Sequence, residues 1–299
     1  AIVCGRNAVR VAAGVRRMAA AAAVRDSDAT PLYPDAVLQA PETQMATLGN
    51  GVRVATEAGG GQLASLTISV DTGSRYETTE NNGTCSVLGA AAFKGKEVSI
   101  AAMGGKFSVN VDRENMTYNA TVLKDDVPKA MEVLAAAVKA SGLTSETAEA
   151  GKASIQQQLA AVRANPQLNL MDHLHDAAFL DTTMGLPVIG TAASVDTLTL
   201  DGLKAFADKS VAGPRIVVAG AGAVHQGALT DMAASLLGDL ASTPAGAVEE
   251  SLEPAHFIGS DKRIRFDSMK EAHIAFCFKA PPAGSEHTYP LALMGAIMG

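Results

Sequence analysis

Apolar and polar residues follow two different periods along the chain, and the switches between them mark its elements. Leu63 to Val70 alternates every second residue, which predicts a strand with one face in a core. Gln44 to Leu48, a turn at Gly49-Asn50-Gly51 and Val52 to Glu57 read as strand, turn and returning strand. Phe107 to Asp112 and Asn115 to Leu123 read as a hairpin, and Arg215 to Gly222 as a buried strand. Helical spacing takes over elsewhere. Ser86 to Phe93 is a helix of small residues. From Asp125, Val127, Ala130, Met131 and Leu134 form an apolar stripe, and Asp125 and Asp126 sit favourably at its N-terminus. Ser145 to Arg163 is a further helix, broken near Asn165-Pro166, followed by helices over Leu168 to Leu180, Leu200 to Lys209 and Ala228 to Leu240. Beyond Pro254, Arg263 to Asp267 and Ala272 to Phe278 alternate as two more strands, and Tyr289 to Met298 opens another helix.

This order gives four parts. Residues 1–40 are a basic segment and a linker broken by Pro31 and Pro34; residues 41–242 form a first domain. Residues 243–260 are a linker containing Pro244 and Pro254, and residues 261–299 are the first part of a second domain. Five residues of that last part, Ile264, Phe266, Ile274, Phe276 and Phe278, need a covering layer. The expectation is that a separate chain completes it.

Composition narrows the class. Hydrophobic residues make up 47% and charged residues 18%, the balance of a globular chain. A net charge of −7 gives no general reason to expect nucleic acid as a partner. Cys4, Cys85 and Cys277 stand apart in sequence, so neither a disulfide framework nor a paired metal spacing is expected. No run reaches the ~18 uncharged apolar residues of a membrane span. From Ala1 to Val24 there is no acidic residue, while Arg6, Arg10, Arg16 and Arg17 punctuate an Ala/Val background. That is the composition of a mitochondrial targeting segment.

Local chemistry is sparse. His173 and His175 lie two apart on a predicted helix, so their rings diverge by about 200° and do not readily share a metal. Gly220-x-Gly222 follows a strand but lacks the third glycine of a dinucleotide fingerprint. Gly104-Gly105 marks a turn more readily than a phosphate cradle, and Cys85 reads as a small buried residue. No Ser/His/Asp or Cys/His arrangement stands out, and no cofactor site is expected.

Several segments, taken in order, resemble the M16 or inverted-zincin family, which contains the mitochondrial processing peptidases and the large core subunits of cytochrome bc1. They are Pro41-Glu42-Thr43-Gln44, Leu48-Gly49-Asn50-Gly51-Val52-Arg53-Val54, Asp71-Thr72-Gly73-Ser74-Arg75-Tyr76-Glu77 and Asn81-Asn82-Gly83-Thr84. They continue with Ala92-Phe93-Lys94-Gly95, Asp172-His173-Leu174-His175, Gly185-Leu186-Pro187-Val188-Ile189-Gly190 and Gly213-Pro214-Arg215 leading to Ala219-Gly220-Ala221-Gly222. The resemblance implies an α+β fold: a mixed sheet with helices on one face, and a second domain of the same kind. It also implies where a zinc site should stand. Active members carry His-x-x-Glu-His between the Asn-Gly-Thr turn and the Phe-Lys-Gly segment, and a glutamate on a later helix. Here Ser86 and Ala90 stand in place of the histidines, Gly89 in place of the catalytic glutamate, and Ala161 at the expected third-ligand position. Gly151 to Leu170 contains no Asp or Glu.

The expectation is therefore a non-enzyme: no catalytic residue, no bound metal and no cofactor. The resemblance implies a structural core subunit of the cytochrome bc1 complex of the respiratory chain. Its partners would be the other core subunit and the remaining bc1 subunits. It would sit peripherally on the matrix side of the mitochondrial inner membrane, without spanning it. The alternative is the non-catalytic, presequence-binding subunit of a heterodimeric processing peptidase.

Overall fold

The computed structural model describes residues 41–180, 182–242, 255–267, 269–282 and 284–298. The basic segment and most of the predicted linker after residue 242 lie outside these residues. The chain divides into two compact units: Pro41–Ala161 with Asp181–Ala255, and Val162–Leu180 with His256–Gly299.

The first unit is built on a six-stranded mixed sheet in the order β1-β2-β6-β3-β5-β4. Its strands are β1 (Gln44–Thr47), β2 (Arg53–Ala58), β3 (Leu63–Val70), β4 (Lys106–Val111), β5 (Met116–Leu123) and β6 (Ile216–Gly222). Strands β2 and β6 run parallel, while the β1–β2, β3–β6, β3–β5 and β4–β5 pairs are antiparallel. The alternation read in the sequence becomes two faces. Ala64, Leu66, Ile68 and Val70 of β3 are buried together with Met116, Tyr118 and Ala120 of β5 and Ile216 and Val218 of β6. On the opposite face, Ser65 bonds Thr121 at 3.1 Å and the Thr67 hydroxyl donates to Asn119 at 2.8 Å, so small polar residues tie neighbouring strands there.

Among the described residues, seven helices belong wholly or mainly to this unit: α1 (Thr84–Ala91), α2 (Glu97–Met103), α3 (Val127–Val138), α4 (Ser145–Ala164), α6 (Ala192–Thr197), α7 (Leu200–Ser210) and α8 (Gln226–Leu237). Helix α3 buries the predicted stripe of Val127, Ala130, Met131 and Leu134, and α8 buries Leu229, Ala233 and Leu237. Both join the core cluster formed by the sheet's apolar face. At about 25 cal/mol per Å² of apolar area removed from water, this shared burial is the main driving force of the fold. The expected α+β class with a mixed sheet and covering helices is therefore present.

In the second unit, helix α5 (Pro166–Ala178) begins at the predicted break. Asn165 is extended, and its side chain accepts from the backbone N–H groups of Gln167 and Leu168 at 3.0 and 3.4 Å, a typical N-cap. Residues 257–262 attach to the far end of α5. The Ile258 N–H donates to the Ala178 carbonyl at 2.9 Å, Phe257 meets Phe179 edge to face, and Lys262 pairs with Asp176. Helix α9 (Thr288–Met298) matches the expected last helix. The strands expected over Arg263–Asp267 and Ala272–Phe278 do not form: no strand is described there. A strand needs a neighbour to satisfy its backbone groups, and no described residue supplies one.

Candidate functional site

The residues that stand where the resemblance expects a metal centre lie on α1 and the elements around it. Position along α1 follows from its N-terminus. The helix starts after Gly83 with no capping side chain of its own. Its free N–H groups are satisfied instead by a residue upstream, Glu77, which is 1% exposed. The Glu77 carboxylate accepts from Gly83 N–H at 2.8 Å, Cys85 N–H at 2.6 Å and Asn82 Nδ2 at 2.9 Å. A negative charge there also meets the positive end of the helix dipole. Burial pushes the Glu77 carboxyl up from its ordinary value, while the Cys85 and Gly83 N–H groups and the Asn82 amide pull it back. The Asp71–Tyr76 stretch before it is equally structural. The Tyr76 hydroxyl donates to Asp71 at 2.7 Å, and the Arg215 guanidinium lies 4.5 Å from the Tyr76 ring centre while bonding the Asp71 carbonyl. Burial and the Asp71 partner push the Tyr76 hydroxyl up to about 12.

From this anchored start, Ser86, Gly89, Ala90 and Phe93 fall at helical spacing on one side and line a cavity of about 650 Å³. Val109 and Val111 of β4, Val188 and Ile189 of a loop, and Ile155 and Gln158 of α4 form other parts of its wall. The Ser86 hydroxyl donates to the Val188 carbonyl at 2.8 Å, so it faces backbone. Three of the four expected positions thus meet at one cleft. The fourth, Ala161, is exposed and is not part of the wall. Each three-residue step along α4 turns its face by about 60° and advances about 4.5 Å; Ile155 and Gln158 face the cleft, and Ala161 has turned away. Gln158 is the polar α4 residue of the wall.

The donor set does not suit zinc. A tetrahedral site needs converging His, Cys or carboxylate ligands. The cleft wall offers a serine hydroxyl, the two amides of Asn110 and Gln158 and two charged groups, Lys94 and Glu97, but neither His nor Cys. Among the described residues, no group of three His, Cys, Asp or Glu side chains gathers to hold a metal. Cys85 is fully buried behind the cleft, and burial together with the Glu77 charge pushes its thiol well up. A thiolate is the form that attacks or ligates, so Cys85 acts as apolar filling. His175 Nδ1 lies 2.9 Å from the Met171 carbonyl of its own helix. At Gly220 a β-carbon would lie 2.8 Å from Leu229 of α8, so that glycine lets helix and strand approach. Sequence reasoning missed both Glu77, a carboxylate eight residues before the N–H it caps, and Gln158, whose place depends on the helix phase.

Comparison with known proteins places this geometry. The family described as Insulinase (Peptidase family M16) matches residues 53–192, and the Peptidase M16 inactive domain matches residues 197–299. The chain is similar to the mitochondrial-processing peptidase subunit beta of Mus musculus, 34% identical over 275 residues that cover 89% of this chain and 56% of that one. It is also similar to cytochrome b-c1 complex subunit 1 of Mus musculus, 31% identical over 278 residues, covering 90% of this chain and 58% of that one. The chain spans a little over half the length of these relatives. Among solved structures it resembles a chain of Complex III2 from Candida albicans with Inz-5 bound, at a TM-score of 0.66 and 26% identity over 76% of this chain and 53% of that one. A protease from Helicobacter pylori shares the fold at a TM-score of 0.63 and 16% identity, over 72% of this chain and 54% of that one.

Proposed function

Because the chain belongs to the M16 peptidase family, we propose that it is a non-catalytic, structural core subunit of the mitochondrial cytochrome bc1 complex. The observation that carries this reading is the cleft wall. Ser86, Gly89, Ala90 and Gln158 line it without an imidazole, and Glu97 is the one carboxylate of the described wall. Hydrolysis by a metal-activated water has no ligand set there and no general base at position 89. A fold kept without its chemistry serves as a scaffold, and similarity to cytochrome b-c1 complex subunit 1 and to a chain of Complex III2 supports that role. None of the described helices is long and apolar enough to cross a membrane, so this reading attaches the protein to the matrix side of the inner membrane through protein partners. Those partners are the other core subunit and the remaining bc1 subunits. Residues 261–299 begin a second M16-like domain in the same reading. Its exposed Ile274, Phe276 and Phe278 are the apolar face that the further strands and helices of such a domain cover.

A second reading has its own support. Similarity to mitochondrial-processing peptidase subunit beta and an open cleft of about 650 Å³ fit a non-catalytic subunit that binds presequences beside a zinc-bearing partner. Purification of the tagged full chain from mitochondria in mild detergent separates the two. Comigration with the cytochrome b and c1 absorbance bands is expected. Comigration with presequence-cleaving activity and without those cytochromes overturns the core-subunit reading in favour of the second.

A further inference from the structure

Helix α1 makes two unusually close approaches, on opposite sides, and each passes through a glycine. On one side Gly89 faces the β4–β5 hairpin. A β-carbon at position 89 would lie 2.9 Å from Val111 Cγ2 and 3.3 Å from both Val109 Cγ1 and Met116 Cε. Valine methyls are held by a stiff χ1, so Val109 and Val111 do not swing aside as a long side chain would. On the other side α1 meets Gly151 of α4. A β-carbon at position 151 would lie 3.0 Å from the Val87 carbonyl oxygen, 3.3 Å from Ala91 Cβ and 3.5 Å from the Ala91 nitrogen. Two of those three atoms are backbone, which moves only with the helix. Residues 87 and 91 are each about 200° around α1 from residue 89 at 3.6 residues per turn. The helix is therefore gripped from both sides. Val87 is fully buried, and Ala91 and Met116 nearly so, while Gly89, Val109 and Val111 are half-buried at the edge of the cleft.

We infer that α1 is locked between the β4–β5 hairpin and α4 by these two glycine contacts, so that packing rather than a bridging metal ties the walls of the cleft together. The inference rests on the non-catalytic reading above for its contrast with a metal. The contacts themselves are independent of it. One consequence concerns the cleft directly. Val109, Val111 and Met116 crowd the β-carbon position of residue 89, so any side chain there needs the hairpin to shift before it can reach the cleft.

The test exploits a sign. Replacing a helical glycine by alanine ordinarily stabilises, because glycine loses more backbone entropy on folding. Gly227 of α8 has nothing within 4 Å of its would-be β-carbon, so Gly227→Ala in the full chain should raise Tm or leave it unchanged. Gly89→Ala and Gly151→Ala should each lower Tm, by at least about 2 °C. Val111→Ala opens the space that a β-carbon at 89 needs, so Gly89→Ala combined with Val111→Ala should lose less Tm than the two single changes added together. If Gly89→Ala does not accumulate as folded protein, adding Val111→Ala should restore soluble expression. Strict additivity, a Gly89→Ala protein as stable as Gly227→Ala, or failure of Val111→Ala to restore folding would each overturn the inference. A wild-type chain that cleaves peptides with added zinc would end the non-catalytic reading while leaving the packing result standing.

Discussion

Leu66, Ile68 and Val70 in β3 are at most 1% exposed, whereas Ile274, Phe276 and Phe278 are between 61% and 71% exposed. The two runs alternate in the same way and carry side chains of similar size. Their surroundings differ. Strand β3 is bonded along its length to β5 on one side and β6 on the other, and its apolar face meets α3. Residues 272–278 have no described strand beside them. Alternation prepares a segment for a sheet, but the neighbouring strand and covering helix convert it into buried area. The difference teaches that the first unit is held by its own core, while the second presents apolar side chains that its described residues leave uncovered.

Matched truncations sharpen this contrast most. Leu66→Ala should destabilise the first unit by about 2–5 kcal/mol, the range for a buried leucine that leaves a cavity. Phe276→Ala in the same chain should change stability by less than about 0.5 kcal/mol, as for a surface position. Urea unfolding of both variants decides it. A Phe276→Ala loss approaching that of Leu66→Ala would mean that the aromatic face is buried in solution.

The next effect comes from Glu77 and depends on pH. Its folded-state carboxyl is raised, with burial the dominant cause. A raised carboxyl contributes stability that is fully present below its unfolded value and is lost as pH rises through the folded value. Wild type should therefore lose stability relative to Glu77→Gln as pH rises from about 4.5. A stability difference that stays flat across that window would contradict the assignment. Glu77→Ala should cost about 1–3 kcal/mol or more, because three buried N–H donors lose their acceptor. The same change in urea midpoint should accompany loss of order at α1.

A smaller effect is expected where the chain leaves α3. Ala140 has φ 48°, the left-handed region. Ala140→Gly should stabilise the first unit by up to about 1 kcal/mol by relieving that conformation. A lowered Tm would show that the alanine methyl is needed for packing beside Leu143.

Much of the fold was legible because its signals are local. The β3 alternation, the α3 stripe and the Asn165-Pro166 break each depend on a few adjacent residues, and the elements stand within a few residues of the expected bounds. Helix α2 was not foreseen. It spans only Glu97–Met103, has a single buried residue and no side-chain cap, so its period is too short to read. Helix α6 was also missed, although Thr191 and Ser194 form a capping box that marks its start. At the cleft, Ser86, Gly89 and Ala90 were legible because one helical turn brings them together. Gln158 was not, because α4 is twenty residues long and its phase against the cleft is set by packing rather than by spacing. The closure of Val109, Val111 and Met116 on Gly89 is a contact between segments far apart in sequence, and no local pattern announces it.

Zinc stoichiometry tests the central claim most directly. The full chain is dialysed against a small excess of zinc, freed of unbound metal and measured by elemental analysis, beside a Ser86→Ala/Gln158→Ala variant. The account predicts the same zinc content in both proteins, with none assignable to the cleft. One zinc per wild-type chain that disappears in the variant would contradict it.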